Sequence, residues 1–415
     1  MLQQKFIDLE VEKVYDITII GGGIVGAATL YQLQNKFPNI KILLIEKEEK
    51  LAPHQTGNNS GVIHSGLYYK PGSKKAINCV KGRHELVKFS LDYDVNHDVC
   101  GKVVVATDES EMPFLNKIFD NGIANNTEGI RKITGDEVRE IEPECIGIAG
   151  IHVPCTGIIN FVQATERLAE VALAKQSESK VVLGETFEKV IHEQPVSTVV
   201  TNKNRYRSKH FIFCGGLQSD RLAKNDGVDL DLQVVGFRGD YYDLTDQAMH
   251  KVKNLIYPVP NPAFPFLGVH FTRMAEGGVE CGPNAVFTFK REGYGKTDFD
   301  LKDSVDALTY GGTWKLFAKH WKFGLDEYRR AFSKPLFLKT LQRLIPSLTM
   351  EDLKPGRSGV RAMAIGTDGE MIEDFKIEFS QNSIHVVNAP SPAATACMAI
   401  GTDITEMAEE RFGLK

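Results

Sequence analysis

Gly21, Gly23 and Gly26 stand in the pattern G-x-G-x-x-G, and Glu46 follows 20 residues after the last of them. Residues of these types at this spacing could hold a pyrophosphate and the hydroxyls of a ribose. The first glycine permits a tight turn, the second a close backbone approach to phosphate oxygens, and the third close packing of a helix on a strand. The anion would sit on the helix N-terminus, where unpaired N–H groups and the positive dipole end favour negative charge. A carboxylate at position 46 suits an adenosine ribose and would repel a 2′-phosphate. Because glycines before a helix often serve packing alone, the reading depends on the elements around them.

Those elements are in register. Ile17–Ile20 is a short apolar run that reads as a buried strand, Ile24 to Gln34 has a helical pattern, and Ile40 to Ile45 reads as a second strand closed by Glu46. Further along, residues 75–89 read as a helix, 101–107 as a strand, and 110–141 as mostly helical. A helix over 162–175 precedes strands at 180–183 and 188–191. The strand Phe211–Cys214 ends in Gly215-Gly216, a second close backbone approach of the kind a nucleotide needs. The stretch 232–292 is β-rich, 300–350 is helical, and strands at 359–365 and 383–388 precede a helix over 394–412. A nicotinamide dehydrogenase usually keeps its nucleotide-binding half continuous. Signals at both ends and in the middle, with insertions between, fit a flavoprotein better.

Composition narrows the class. At 415 residues the chain can form two domains or one with a large insertion, and 42% hydrophobic with 25% charged residues is ordinary for a globular protein. A net charge of −5 argues against a nucleic-acid partner. Seven cysteines contain no C-x-x-C pair, so the expectation is free thiols, buried or partly buried, with no disulfide framework and no metal site. The first twelve residues carry three acidic side chains and no apolar core, and the longest apolar stretch is explained as strand plus helix. The expected location is therefore cytoplasmic, with any membrane contact peripheral, as on an inner membrane. A mitochondrial location is expected instead if a transit peptide is missing from this chain.

Six phrases go beyond pattern: HQTGNNSGVIHSGLYY (54–69), FRGDYY (237–242), FPFLGVHFTRM (264–274), GPNAVFTFKREGY (282–294), GVRAMA (359–364) and NAPSPAAT (388–395). Through them the chain resembles, from about residue 15 to about 410, the L-2-hydroxyglutarate dehydrogenase/oxidase family of the D-amino-acid-oxidase-like superfamily. The resemblance implies FAD as cofactor, a 2-hydroxy diacid as substrate, 2-oxoglutarate as product, and a quinone or dioxygen as electron acceptor. The implied fold is α/β (α+β overall). Residues 1–90, 150–230 and 355–415 would make a discontinuous Rossmann-like FAD-binding domain, and 91–149 with 231–354 an inserted substrate-binding domain of mixed sheet and helices. Oligomeric state is not legible.

Oxidising a C–H beside a hydroxyl requires a hydride acceptor, the flavin N5, and a base for the hydroxyl proton. The candidates are His64, which falls where related flavoproteins place an active-site histidine, and His270. Both could instead be merely hydrogen-bonded, and His64 could anchor flavin covalently. His54 is expected to shape the FAD loop. A diacid needs two cationic or donor-rich anchors, and arginine's planar fork suits a carboxylate. Arg361 resembles the superfamily's arginine for the carboxylate beside the oxidised carbon, and Arg238 could hold the distal one with Tyr241 or Tyr257. Lys290 and Arg291 read as a solvated charge cluster. For FAD the expected contacts are Gly21, Gly23, Gly26, Glu46, Thr56, Ser60 and Gly215. The loop with Ser391, Ala393, Ala394 and Thr395 would offer amides to the flavin, although Pro-Ala-Ala stands where the superfamily commonly has glycines. The alternative is a related FAD enzyme acting on an amino acid, malate or glycerol 3-phosphate. Amine oxidation needs no strong base and a phosphate site would want more cations than 237–291 offers. A non-catalytic FAD-binding sensor or scaffold would need no anchor such as Arg361.

Overall fold

The protein is described here from a computed structural model over residues 13–260 and 268–415. The phrase FPFLGVHFTRM therefore lies partly outside the described residues. Strand β1 (Val14–Ile20), helix α1 (Ile24–Lys36) and strand β2 (Ile42–Ile45) make the expected βαβ unit. The strands run parallel, with Ile17 beside Ile42 and Ile20 beside Ile45. Gly23 caps α1 in an extended conformation, and Pro38, just past the C-cap Phe37, cannot continue the helix. The apolar faces of these elements meet in one core that includes Ile17, Ile19, Leu30, Leu33, Ile42 and Leu44, all fully buried. Burial of each such side chain contributes roughly 1.5–3 kcal/mol.

Helix α2 (Lys74–Asp92), strand β3 (Lys102–Ala106), strand β4 (Ala149–Val153), helix α3 (Phe161–Lys175) and strand β5 (Arg205–Phe213) follow. Then come β6 (Leu232–Leu244), β7 (Leu255–Pro258), β8 (His270–Arg273), helix α4 (Gly311–Phe332), β9 (Leu353–Gly366), β10 (Ser383–Asn388) and helix α5 (Cys397–Phe412). Among the described residues the first sheet has eight strands, with β1 central between β5 and β2, and β10 alongside β5. Its strands come from residues 14–45, 180–213 and 376–388, so the nucleotide-type sheet is discontinuous in sequence. Helices α3 and α5 flank α1, and Gly401 lets α5 approach closely: a Cβ there would lie 2.8 Å from the Ala28 carbonyl oxygen.

A second, nine-stranded sheet contains β3, β4 and β6 to β9. Its spine is the antiparallel pair β6–β9, registered from Leu232 opposite Gly366 to Leu244 opposite Leu353. Two readings change here. Residues 355–366 and 150–153, expected in the first unit, hydrogen-bond into this second sheet instead. The segment 110–141 is interrupted by a strand, Arg131–Thr134, which pairs with β4. No described helix is long and apolar enough to cross a membrane. All seven cysteines are free thiols, each buried or half-buried.

Candidate functional site

The two sheets enclose a cavity of about 1310 Å³. Its nucleotide end is built at the carboxyl edge of β1. Gly21 has φ +114°, and a Cβ there would meet the Cys214 carbonyl oxygen at 2.4 Å. Gly26 lies behind the cavity wall: its Cβ would fall 2.0 Å from the Gly21 carbonyl oxygen, so this glycine serves helix–strand packing. A Cβ at Gly23, by contrast, would make only an ordinary 3.4 Å contact with Thr56 Oγ1 and would otherwise point into space that the cavity uses. Glu46 is buried and lines the cavity, with one carboxylate oxygen accepting from the Gly22 amide (2.7 Å) and the other from the Glu48 amide (3.0 Å). Thr56 Oγ1 accepts the Ile24 amide at 3.1 Å, so this side chain caps α1 as well as lining the cavity. Gly215 lines the same end. His54 hydrogen-bonds Tyr294 through Nδ1 and Glu48 through Nε2.

In the loop 388–396, Ser391, Ala393, Ala394 and Thr395 all line the cavity. Their roles differ from a uniform row of donors. The Ala393 amide is spent on the Pro390 carbonyl (2.9 Å). Thr395 Oγ1 accepts the His64 amide (3.0 Å) and donates to the Val62 carbonyl (3.2 Å), tying this loop to the one that carries His64.

The other end holds His64, Tyr68, Tyr69, Lys75, Tyr241, Tyr257, His270 and Arg361. His270, on β8, stacks against Tyr257 on β7 and donates Nδ1–H to the Gly268 carbonyl at 2.9 Å, which leaves Nε2 as the lone-pair nitrogen. The hydroxyls of Thr272 and Ser60 hydrogen-bond Tyr257, so Ser60 acts at this end through the tyrosine. Burial first, and then the nearby cations, pushes both His64 and His270 down to about 3; Lys102 acts on both and Arg361 on His270. Arg361 stands on β9 opposite Phe237, and its Nη1 donates to the Asn284 carbonyl at 3.2 Å. Gly239 makes room for it, since a Cβ there would lie 3.2 Å from Nη1. Burial lowers the Arg361 pKa, while Tyr241 and Glu327 act in the opposite direction.

Arg238 is not part of this assembly. It is buried with its guanidinium committed to Asp240 (2.8 Å) and to the Gly295 carbonyl (2.7 Å), and it does not line the cavity. Arg291 is not solvated either: it is 4% exposed and clamps Asp220 and the Leu217 carbonyl. The sequence reading missed Tyr68, Tyr69 and Lys75, which line the cavity, and Lys102, which packs behind Tyr68 and Tyr257. The tyrosines end a phrase already singled out, and Lys102 was visible as a charge opening an otherwise apolar strand.

These observations fit FAD. A glycine cradle, a helix N-terminus and an acidic residue at one end run without interruption into a histidine- and arginine-lined chamber at the other, as a dinucleotide with a redox ring requires.

Comparison with known proteins agrees. A family model described as FAD dependent oxidoreductase matches residues 16–407. L-2-hydroxyglutarate dehydrogenase of Indibacter alkaliphilus is 48% identical over 96% of this chain and 100% of its own length. The mitochondrial L-2-hydroxyglutarate dehydrogenase of Homo sapiens is 38% identical, covering 96% of this chain and 90% of that one. Among solved structures, L-alpha-glycerophosphate oxidase from Mycoplasma pneumoniae with FAD bound aligns with a TM-score of 0.78 at 23% identity, over 97% of this chain and 96% of that one. At that identity the match shows a shared fold.

Proposed function

The chain belongs to the L-2-hydroxyglutarate dehydrogenase family of FAD-dependent oxidoreductases, and on that premise we propose that it oxidises L-2-hydroxyglutarate to 2-oxoglutarate. The observation that carries this reading is the single cavity joining the glycine cradle to His270 and Arg361. FAD, when bound, supplies the two-electron acceptor for the hydride that leaves the substrate carbon. Gly21, Gly23, Glu46 and Gly215 would hold the dinucleotide, and the 391–395 loop, which lines the same cavity, would contribute to its flavin end.

The remaining work belongs to side chains. Arg361 clamps the carboxylate beside the reacting carbon, which fixes the orientation of the C–H bond. His270 Nε2 takes the hydroxyl proton, because its ring is oriented from behind by Gly268 and from the side by Tyr257. No hydrogen bond to the His64 ring occurs among the described residues, so His64 is assigned to orienting the hydroxyl and His270 to the role of base. In the empty site both rings stay neutral. A bound dianion offsets the cations that depress them and raises the basicity of His270 as the substrate arrives.

Electrons then pass to a quinone or dioxygen. Peripheral membrane contact is supported by α4, kinked at His320, where Trp314 before the kink and Trp321, Leu325 and Phe332 after it are 57%, 59%, 46% and 63% exposed, with Lys315, Lys319 and Lys322 near them in sequence.

The test is anaerobic addition of candidate acids to the purified yellow protein. L-2-hydroxyglutarate should bleach the flavin and yield 2-oxoglutarate, while D-2-hydroxyglutarate, L-lactate and glycine should act poorly. Rapid bleaching by an amino acid, with none by the hydroxy diacid, would transfer the protein to the amino-acid oxidising enzymes.

A further inference from the structure

Lys102 opens strand β3, whose five residues are all buried. Its ammonium lies between two aromatic rings, 4.6 Å from the centroid of Tyr68 and 4.7 Å from that of Tyr257. Both rings line the cavity, with Lys102 buried in the layer behind them, and Tyr257 also carries the His270 ring, 4.0 Å away. Among the described residues no carboxylate pairs with Lys102. The groups that favour its charged form are the thiols of Cys155 and Cys79, and burial raises both above their ordinary values, so neither is an anion at neutral pH.

A buried cation without a counter-ion is costly, and two tyrosine faces offset only part of that cost. The other lysine at this end has its charge answered: Lys75 faces Glu373 and Asp374. Arg361 on β9 and Lys102 on β3 belong to the same sheet, and both are cations that act on His270. The histidine therefore lies within electrostatic reach of two cations. A substrate whose reacting hydroxyl meets His270 would direct one end towards each of them.

We propose that Lys102 binds the carboxylate of the substrate distal to the reacting carbon, and so makes the site selective for a diacid over a monoacid. This inference rests on the hydroxy-diacid reading above and replaces Arg238 in the second anchor position. The Tyr68 and Tyr257 faces hold the ammonium while the site is empty, and the incoming carboxylate supplies the missing negative charge. Selectivity follows because an aliphatic end would leave the cation buried and unpaired.

The experiment compares wild type, Lys102→Met and Lys102→Arg with L-2-hydroxyglutarate and with L-2-hydroxyvalerate, which has the same carbon chain without the distal carboxylate. In Lys102→Met, kcat/KM for the diacid should fall about 100-fold, the scale of a lost buried charge pair, while that for the monoacid changes little. Lys102→Arg should retain part of the preference. A second readout needs no turnover: glutarate titrated into the oxidised holoprotein, followed through the flavin spectrum, should bind more weakly to Lys102→Met, and butyrate should not. Flavin content and Tm of Lys102→Met should match or exceed those of wild type, because an uncompensated buried cation has been removed. Equal losses for both substrates, or an unchanged diacid preference, would overturn the assignment. If wild type oxidises neither acid yet binds glutarate in a Lys102-dependent way, the substrate reading fails and the anchor stands.

Discussion

The ring of His270 lies on that of Tyr257, with centroids 4.0 Å apart and planes inclined by 31°. With Nδ1 held by the Gly268 carbonyl, the imidazole has one orientation and one free nitrogen. That arrangement separates the two histidines by role. His270→Ala should lower the rate of flavin reduction by about 10²–10⁴-fold, the span of a lost general base, with a smaller effect on substrate affinity. His64→Ala should reduce the rate less. Stopped-flow measurement of the reductive half-reaction reads both, and the reverse ranking would return the base to His64.

In the proposed role, Arg361 both binds and orients the substrate carboxylate. Losing a charge-assisted, two-pronged contact should cost about 2–5 kcal/mol of transition-state stabilisation. Arg361→Lys should be nearly as damaging as Arg361→Met, since a point charge cannot reproduce the fork. Wild-type rate and saturation in Arg361→Met would place the carboxylate elsewhere.

The glycines of the fingerprint should fail differently. Gly23→Val adds its side chain where only Thr56 Oγ1 is near, at 3.4 Å from the Cβ, so the protein should fold and purify flavin-poor. Gly26→Val drives a Cβ to 2.0 Å from the Gly21 carbonyl oxygen, so it should lose stability as well as flavin. Thermal unfolding and the ratio of flavin to protein absorbance separate the two, and full flavin occupancy in Gly23→Val would refute the cradle.

Burial pushes Lys102 down to about 8. Around it, Cys79, Cys155, Tyr68 and Tyr257 are all raised, while His64 and His270 are near 3, so Lys102 is the group among these that changes charge just above neutrality. It is cationic below that pH and neutral above it. kcat/KM for the diacid should therefore fall as pH rises through about 8, while the monoacid profile lacks this limb. In Lys102→Arg the limb should move far to alkaline pH, and a limb that stays in place belongs to another group.

Both tryptophans of the chain are exposed on α4, one on each side of its kink at His320. Tryptophan fluorescence is therefore a direct probe of membrane contact. Vesicles containing anionic lipid should shift the emission to the blue, and Trp321→Ser should weaken sedimentation with them without altering flavin reduction. Unshifted emission at saturating lipid would remove this helix as the contact.

The nucleotide half was legible in the sequence because it is local. Strand, glycines, helix and Glu46 fall within a few dozen consecutive residues, so spacing alone predicts a βαβ unit with the glycine loop and Glu46 at the carboxyl edge of its strands, as the structure has them. The acid half was not. Arg238 and Arg361 look equivalent as letters, yet the fold gives one to Asp240, two residues along its own strand, and to the Gly295 carbonyl, and places the other in the cavity wall. Lys102 reads as one charge on an apolar strand until β3 and β7 pair and a distant loop brings Tyr68 over it. Whether a charge is paired, solvated or left facing a cavity depends on which neighbours the fold supplies. For this site those neighbours come from segments far apart in the chain, so their meeting is decided by sheet register and packing.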